Sequence, residues 1–125
     1  VFDCRTGRLH YTNAGHPPPI VIRNGSVIRL ETNGMVVGAF PFAEYGESTF
    51  DLEPGDLLAC FTDGLTEPEN EYGEMFGEER LAEILQRNVS RPPAEILEEV
   101  YAAVQHWGGA PDAQDDMTMV LARRL

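Results

Sequence analysis

Leu57-Leu-Ala-Cys-Phe61 is an unbroken apolar run, followed at once by Thr62-Asp-Gly64. The run reads as a buried strand that delivers a carboxylate, Asp63, to the edge of a sheet. Gly64 behind it suits a sharp turn and a close approach to a ligand. A second acid pair, Asp115-Asp116, opens the last apolar run, Met117 to Ala122. If the two strands are neighbours, their acids meet at one end of the sheet. Carboxylates brought together there need a cation, a proton or an arginine. A hard divalent metal, Mg2+ or Mn2+, is the most economical answer, because oxygen ligands suit it.

The rest of the chain is mostly short β-runs between turn signals. Val1 to Cys4 and Leu9 to Ala14 flank a turn at Arg5-Thr-Gly-Arg8, and Gly15-His-Pro-Pro-Pro19 breaks the pattern. Ile20–Arg23 and Ser26–Leu30 flank Asn24-Gly25, the strongest short-range hairpin signal. Residues 31–47 read as loop with one short strand near Met35 to Val37. Ser48–Leu52 is a strand, and Glu53-Pro-Gly-Asp56 is a turn into the Leu57 run. After Glu67 an acidic, glycine-punctuated stretch to Gly77 reads as an exposed, mobile flap over the sheet edge that carries Asp63, with Met75-Phe76 clamping it to the core. It is not a calcium loop, because Tyr72 stands where an EF-hand needs glycine.

The period then changes. Leu81, Ile84 and Leu85 mark a helix from about Gly77 to Asn88. Ser90 with Pro92 and Pro93 starts a second, whose stripe is Ile96, Leu97, Val100, Tyr101, Val104 and Trp107 and whose end is Gly108-Gly109. A last strand runs from about Asp116 to Arg123. The order is α+β: largely antiparallel sheets with two helices packed on one sheet face.

A chain of 125 residues can bury one real core. A net charge of −12 argues against nucleic-acid and anionic-membrane partners, which reward lysine and arginine. No apolar stretch reaches the ~20 residues of a membrane span, and no signal peptide is visible. Cys4 and Cys60 sit in apolar runs and read as buried free thiols of a reducing, cytoplasmic compartment.

Five segments, in order, carry a family resemblance: Asn13-Ala-Gly-His-Pro-Pro18, Pro54-Gly-Asp-Leu-Leu58, Phe61-Thr-Asp-Gly-Leu-Thr-Glu67, Phe76-Gly-Glu-Glu-Arg-Leu81 and Asp115-Asp-Met-Thr118. Together they resemble the SpoIIE/RsbU-type branch of the PPM (PP2C-like) serine/threonine phosphatases. The resemblance implies an αββα sandwich and hydrolysis of phosphoserine or phosphothreonine with two Mn2+ or Mg2+ ions. It implies a phosphorylated anti-anti-sigma protein of the STAS type as substrate. By motif position Asp63 and Asp115 are metal aspartates. Asp116 and Gly64 support them, His16 holds its loop, and no protein side chain acts as nucleophile.

The departure is upstream. The family's Asp-Gly-x-Gly-His-type segment supplies an aspartate that bridges the metals, and Gly15-His16 is not it, because Ala14 precedes that glycine. Residues 1–125 therefore read as the C-terminal part of one phosphatase domain, inactive by itself and prone to self-association through an open sheet edge. The alternative is a non-catalytic protein-binding module derived from the phosphatase fold. A sugar- or ligand-binding β-domain has only the strand count in its favour.

Overall fold

A computed structural model describes residues 1–31, 46–109 and 116–125. Among these, seven strands and two helices are arranged in the order β1 (Phe2–Asp3), β2 (Arg8–Tyr11), β3 (Ile20–Arg23), β4 (Ser26–Arg29), β5 (Ser48–Asp51), β6 (Leu57–Phe61), α1 (Gly77–Arg87), α2 (Pro93–Gly108) and β7 (Met119–Arg123). The strands form two antiparallel sheets, β1-β2-β5 and β4-β3-β6-β7. The expected strand near Met35 to Val37 lies outside the described residues.

β6 organises the larger sheet. It pairs with β3 on one side and β7 on the other, with Phe61 opposite Met119. Leu57, Ala59 and Phe61 point to a core built with Leu81, Leu85, Ile96, Val100 and Val104 of the helices. Leu58 turns to the other face, where Val21, Leu30 and Leu52 form a second core with Leu9, Tyr11 and Phe50. The layers are therefore helices, sheet, sheet. The apolar run is continuous because both its faces are covered.

Local chemistry sets the links. Asn24 and Gly25 both have positive φ, 48° and 79°, which the tight primed turn of the β3–β4 hairpin requires. Gly7 has φ 77°, and a Cβ there would lie 2.6 Å from the Leu52 carbonyl oxygen. That oxygen's own residue donates its amide to the Gly7 carbonyl at 2.8 Å, which locks the β1–β2 turn to the end of β5.

Three expectations need adjustment. Ser90 does not begin α2: Pro92 is the cap (φ −56°, ψ 142°) and Pro93 the first helical residue, because a residue before proline is driven out of the helical region. The final strand starts at Met119 rather than Asp116, since ladder pairing with β6 ends where β6 ends. Cys4 is exposed, lying in the β1–β2 turn; Cys60 on β6 is half-buried.

One charge is built into the layers. Asp56 is 2% exposed and accepts from Arg23 Nε at 3.1 Å, from Arg23 Nη2 at 2.6 Å and from the Glu53 amide at 2.8 Å. Burial pushes this carboxyl upward, but the Arg23 hydrogen bond, the Glu53 amide and the Arg23 charge outweigh it and hold it below the usual carboxylate range. A depressed carboxylate stabilises the fold above its unfolded pKa of about 3.9 and ceases to do so as pH falls through the lower folded value. Asp56→Asn should therefore cost about 3 kcal/mol in urea denaturation at pH 7, with the gap to the parent protein closing only below about pH 4.

Candidate functional site

The end of β6 and the start of β7 are joined past the last ladder pair. The Thr62 amide donates to the Thr118 carbonyl at 3.0 Å, and the Thr118 amide donates back to Thr62 Oγ1 at 3.1 Å. The Thr62 hydroxyl donates to the Asp116 carbonyl at 3.3 Å. One threonine side chain thus ties the segment before Asp63 to the segment that carries Asp116. Asp63 opens a single 3-10 turn, Asp63–Leu65, whose carbonyl accepts from the Thr66 and Glu67 amides at 3.0 and 2.9 Å. Leu65 is fully buried and anchors the turn, while Asp63 is exposed at the sheet end.

Asp116 is also exposed, three residues before β7. Asp115 lies outside the described residues. Gly64 is buried in the 3-10 turn and has no positive φ, so burial rather than a left-handed backbone constrains that position. Motif reading alone does not single out Thr62. A signal for it is nonetheless present: each acid-bearing motif also carries a threonine, Thr62 and Thr118, and a hydroxyl at a strand end is suited to extend pairing where the ladder stops.

Over residues 1–125 the sequence matches the family described as Stage II sporulation protein E (SpoIIE). The chain belongs to the SpoIIE/RsbU-type PP2C-like phosphatase family. Protein IcfG of Synechocystis is 34% identical over 99% of this chain, which spans 20% of that protein. Phosphoserine phosphatase RsbU of Bacillus subtilis is 27% identical over 91% of the chain and 34% of its own length. Among solved structures, the SiaA-PP2C domain of Pseudomonas aeruginosa superposes with a TM-score of 0.77 at 25% identity, over 95% of this chain and 47% of that one. The SpoIIE phosphatase domain of Bacillus subtilis, presoaked with Mn, also gives 0.77, at 19% identity over 98% of this chain and 53% of that one. The chain thus spans a fifth to a third of those two curated relatives and about half of each of those two solved chains.

Other features of this SpoIIE-family chain surround the strand end. In the Gly-His-Pro loop it is Asn13 that forms the bonds: Nδ2 donates to the His16 carbonyl at 2.9 Å and Oδ1 accepts from the His16 amide at 2.8 Å. His16 itself is exposed. A cleft of about 430 Å³ opens between the sheets, lined by Leu9, Tyr11, Ala14, Leu58 and Cys60 among others. Burial pushes the Cys60 thiol up, so it is held protonated at neutral pH and is a poor nucleophile. Among the described residues, no helix is long and apolar enough to cross a membrane.

The flap carries its own hydrogen bonds. Asn70 Oδ1 accepts from the Tyr72 and Glu74 amides, both at 2.9 Å, and the Asn70 amide donates to the Glu74 carbonyl at 3.0 Å. The flap's base is closed by Phe76 N–H to Pro68 carbonyl at 2.8 Å and Gly77 N–H to Thr66 carbonyl at 2.9 Å.

Thr62→Val keeps the side-chain shape and removes the hydroxyl's bonds to the Asp116 and Thr118 carbonyls and from the Thr118 amide. It should lower stability by about 1 kcal/mol and speed hydrogen exchange at the Thr118 amide, with helix amides unaffected. An unchanged Thr118 rate would show that the strand ends hold together without the hydroxyl.

Proposed function

We propose that this chain is the C-terminal part of a metal-dependent protein serine/threonine phosphatase domain. The observation that carries this is the Thr62 tie, which joins the two acid-bearing segments at one sheet edge in a chain of the SpoIIE family. Two of its relatives are themselves phosphoserine phosphatases by name, RsbU and RsbP. The substrate class that fits is a phosphoserine or phosphothreonine protein, with an anti-anti-sigma protein of the STAS type as the expected partner.

Among the described residues no group of three or more metal-ligating side chains is gathered, so the ion-binding reading rests on Asp63 and Asp115, whose carboxylate oxygens suit a hard divalent ion. Asp63 presents an exposed carboxylate from a fixed turn, and Asp115 would join it from the β7 side. Bound there, Mn2+ or Mg2+ supplies charge neutralisation at the phosphoryl group and acidification of water. The chain's own part is placement. Leu65 and the 3-10 turn hold Asp63 at the exposed strand end, Thr62 fixes the partner segment through the Asp116 carbonyl, and the Asp116 carboxylate would orient ligands there. No side-chain nucleophile is required, and Cys60, held protonated, does not offer one.

The aspartate that bridges the metals in this family has no counterpart in residues 1–125. The 125-residue chain alone should therefore turn over phosphoprotein at a negligible rate, and its uncovered sheet edge should favour self-association, seen as dimers in sedimentation.

Manganese calorimetry on a protein that includes the upstream half of the domain tests the assignment. Asp63→Ala and Asp115→Ala should abolish binding at one site, while Asp116→Asn should weaken it about tenfold, as an orienting group does. Binding unchanged by Asp63→Ala would favour the alternative, a non-catalytic protein-binding module on the same fold.

A further inference from the structure

The flap leaves the sheet at the same strand end as Asp63, directly after the 3-10 turn. Three hydrogen bonds and one ring contact tie it to the two helices. Trp107, near the end of α2, donates its indole N–H to the Glu74 carbonyl at 2.8 Å. Arg80 of α1 donates from Nη1 to the Met75 carbonyl at 3.2 Å and to the Phe76 carbonyl at 2.9 Å. The Arg80 guanidinium stacks on the Trp107 ring, 4.0 Å from its centre. Phe76, 3% exposed, meets the same ring edge-on at 6.1 Å.

These contacts are more specific than core filling. The indole N–H and the Asn70 amide share one acceptor, the Glu74 carbonyl, so Trp107 binds the atom that also closes the flap's own turn. Arg80 reads two successive backbone carbonyls, which fixes the direction of the chain and not merely its distance from the helix. Both donors address backbone, which leaves Tyr72 and Met75 outside, 78% and 55% exposed. Only Phe76 of the Met75-Phe76 pair acts as the clamp. A groove of about 610 Å³ runs between Glu69–Tyr72 and His106–Gly109, and Trp107 forms part of its wall.

We propose that Trp107 and Arg80 are positioning residues that clasp the flap in one place beside Asp63, and that the clasped flap is a surface a protein substrate must meet. The second half of this rests on the phosphatase reading. A macromolecular substrate reaching the strand end has to pass a segment rooted at that same end. A small phosphoester does not. The clasp therefore governs recognition of the protein and leaves the chemistry at Asp63 alone.

The test uses the full-length protein and two variants, Trp107→Phe, which keeps the ring contacts and loses the N–H, and Arg80→Gln, which loses the Nη1 donor shared by the two carbonyls. Val104→Ala, in the core of α2, is the control for general destabilisation. Hydrogen exchange at the Asn70, Glu74 and Phe76 amides should speed roughly five- to tenfold in either clasp variant relative to β6 amides, and not selectively in the control. Exchange needs no turnover, so it judges the clasp even if the phosphatase reading fails. In steady-state kinetics the clasp variants should raise KM for a phosphoprotein about fivefold or more, with kcat, and hydrolysis of p-nitrophenyl phosphate, within about twofold. Flap exchange that does not change would overturn the clasp. A parallel fall in p-nitrophenyl phosphate hydrolysis would overturn the recognition role and make these residues supports of the metal site.

Discussion

The structure depends on covering β6 on both faces and pairing it on both edges. Its edges are paired with β3 and β7, and its faces are covered by two helices and by the second sheet. A strand with no open edge and with both faces largely covered has little freedom to slip, because a one-residue shift would exchange its two cores. The turn after β6 inherits this constraint. Asp63 comes two residues after the last paired residue, so the rigidity of β6 becomes the placement of a carboxylate.

Burying such a strand obliges the chain to manage polar groups at its ends. At the start, Asp56 is buried and held ionised by Arg23, whose fork also reaches the Asp51 carbonyl at 2.9 Å. That pair joins the β3 and β5 ends across the sheets. At the far end the ladder stops at Phe61–Met119, and Thr62 carries the pairing on through its hydroxyl. The two ends use different chemistry for different purposes. The inner end is sealed, and the outer end is kept exposed with its acids facing solvent.

The flap shows how a polar loop becomes ordered without a core of its own. Its acids are exposed, and its order comes from backbone acceptors: the Glu74, Met75 and Phe76 carbonyls are taken by Trp107 and Arg80. Nothing in the composition of residues 67–76 announces this, since the donors lie on helices further along the chain. A glycine-punctuated acidic stretch read alone offers no partner; the structure gives it donors from two helices.

The sequence by itself determined the elements whose cause is local. The Asn24-Gly25 hairpin, the Glu53-Pro-Gly-Asp56 turn, the helical stripes over Leu81 to Leu85 and Ile96 to Val104, and the buried character of Leu57 to Phe61 all come from backbone preference and apolar period. The five motif segments placed the chain in its family, and the apolar runs beside Asp63 and the Asp115-Asp116 pair announced acids flanking two strands. Only the tertiary structure decided the pairwise, distant facts: that β6 and β7 are neighbours, that Thr62 binds across 54 residues to Asp116, that Asn13 rather than His16 supplies the bonds of its loop, and that Trp107 reaches back 33 residues to the flap. The physical reason is that a propensity is a property of a short stretch, whereas a hydrogen bond between remote groups exists only after the layers have brought its donor and acceptor within about 3 Å of each other.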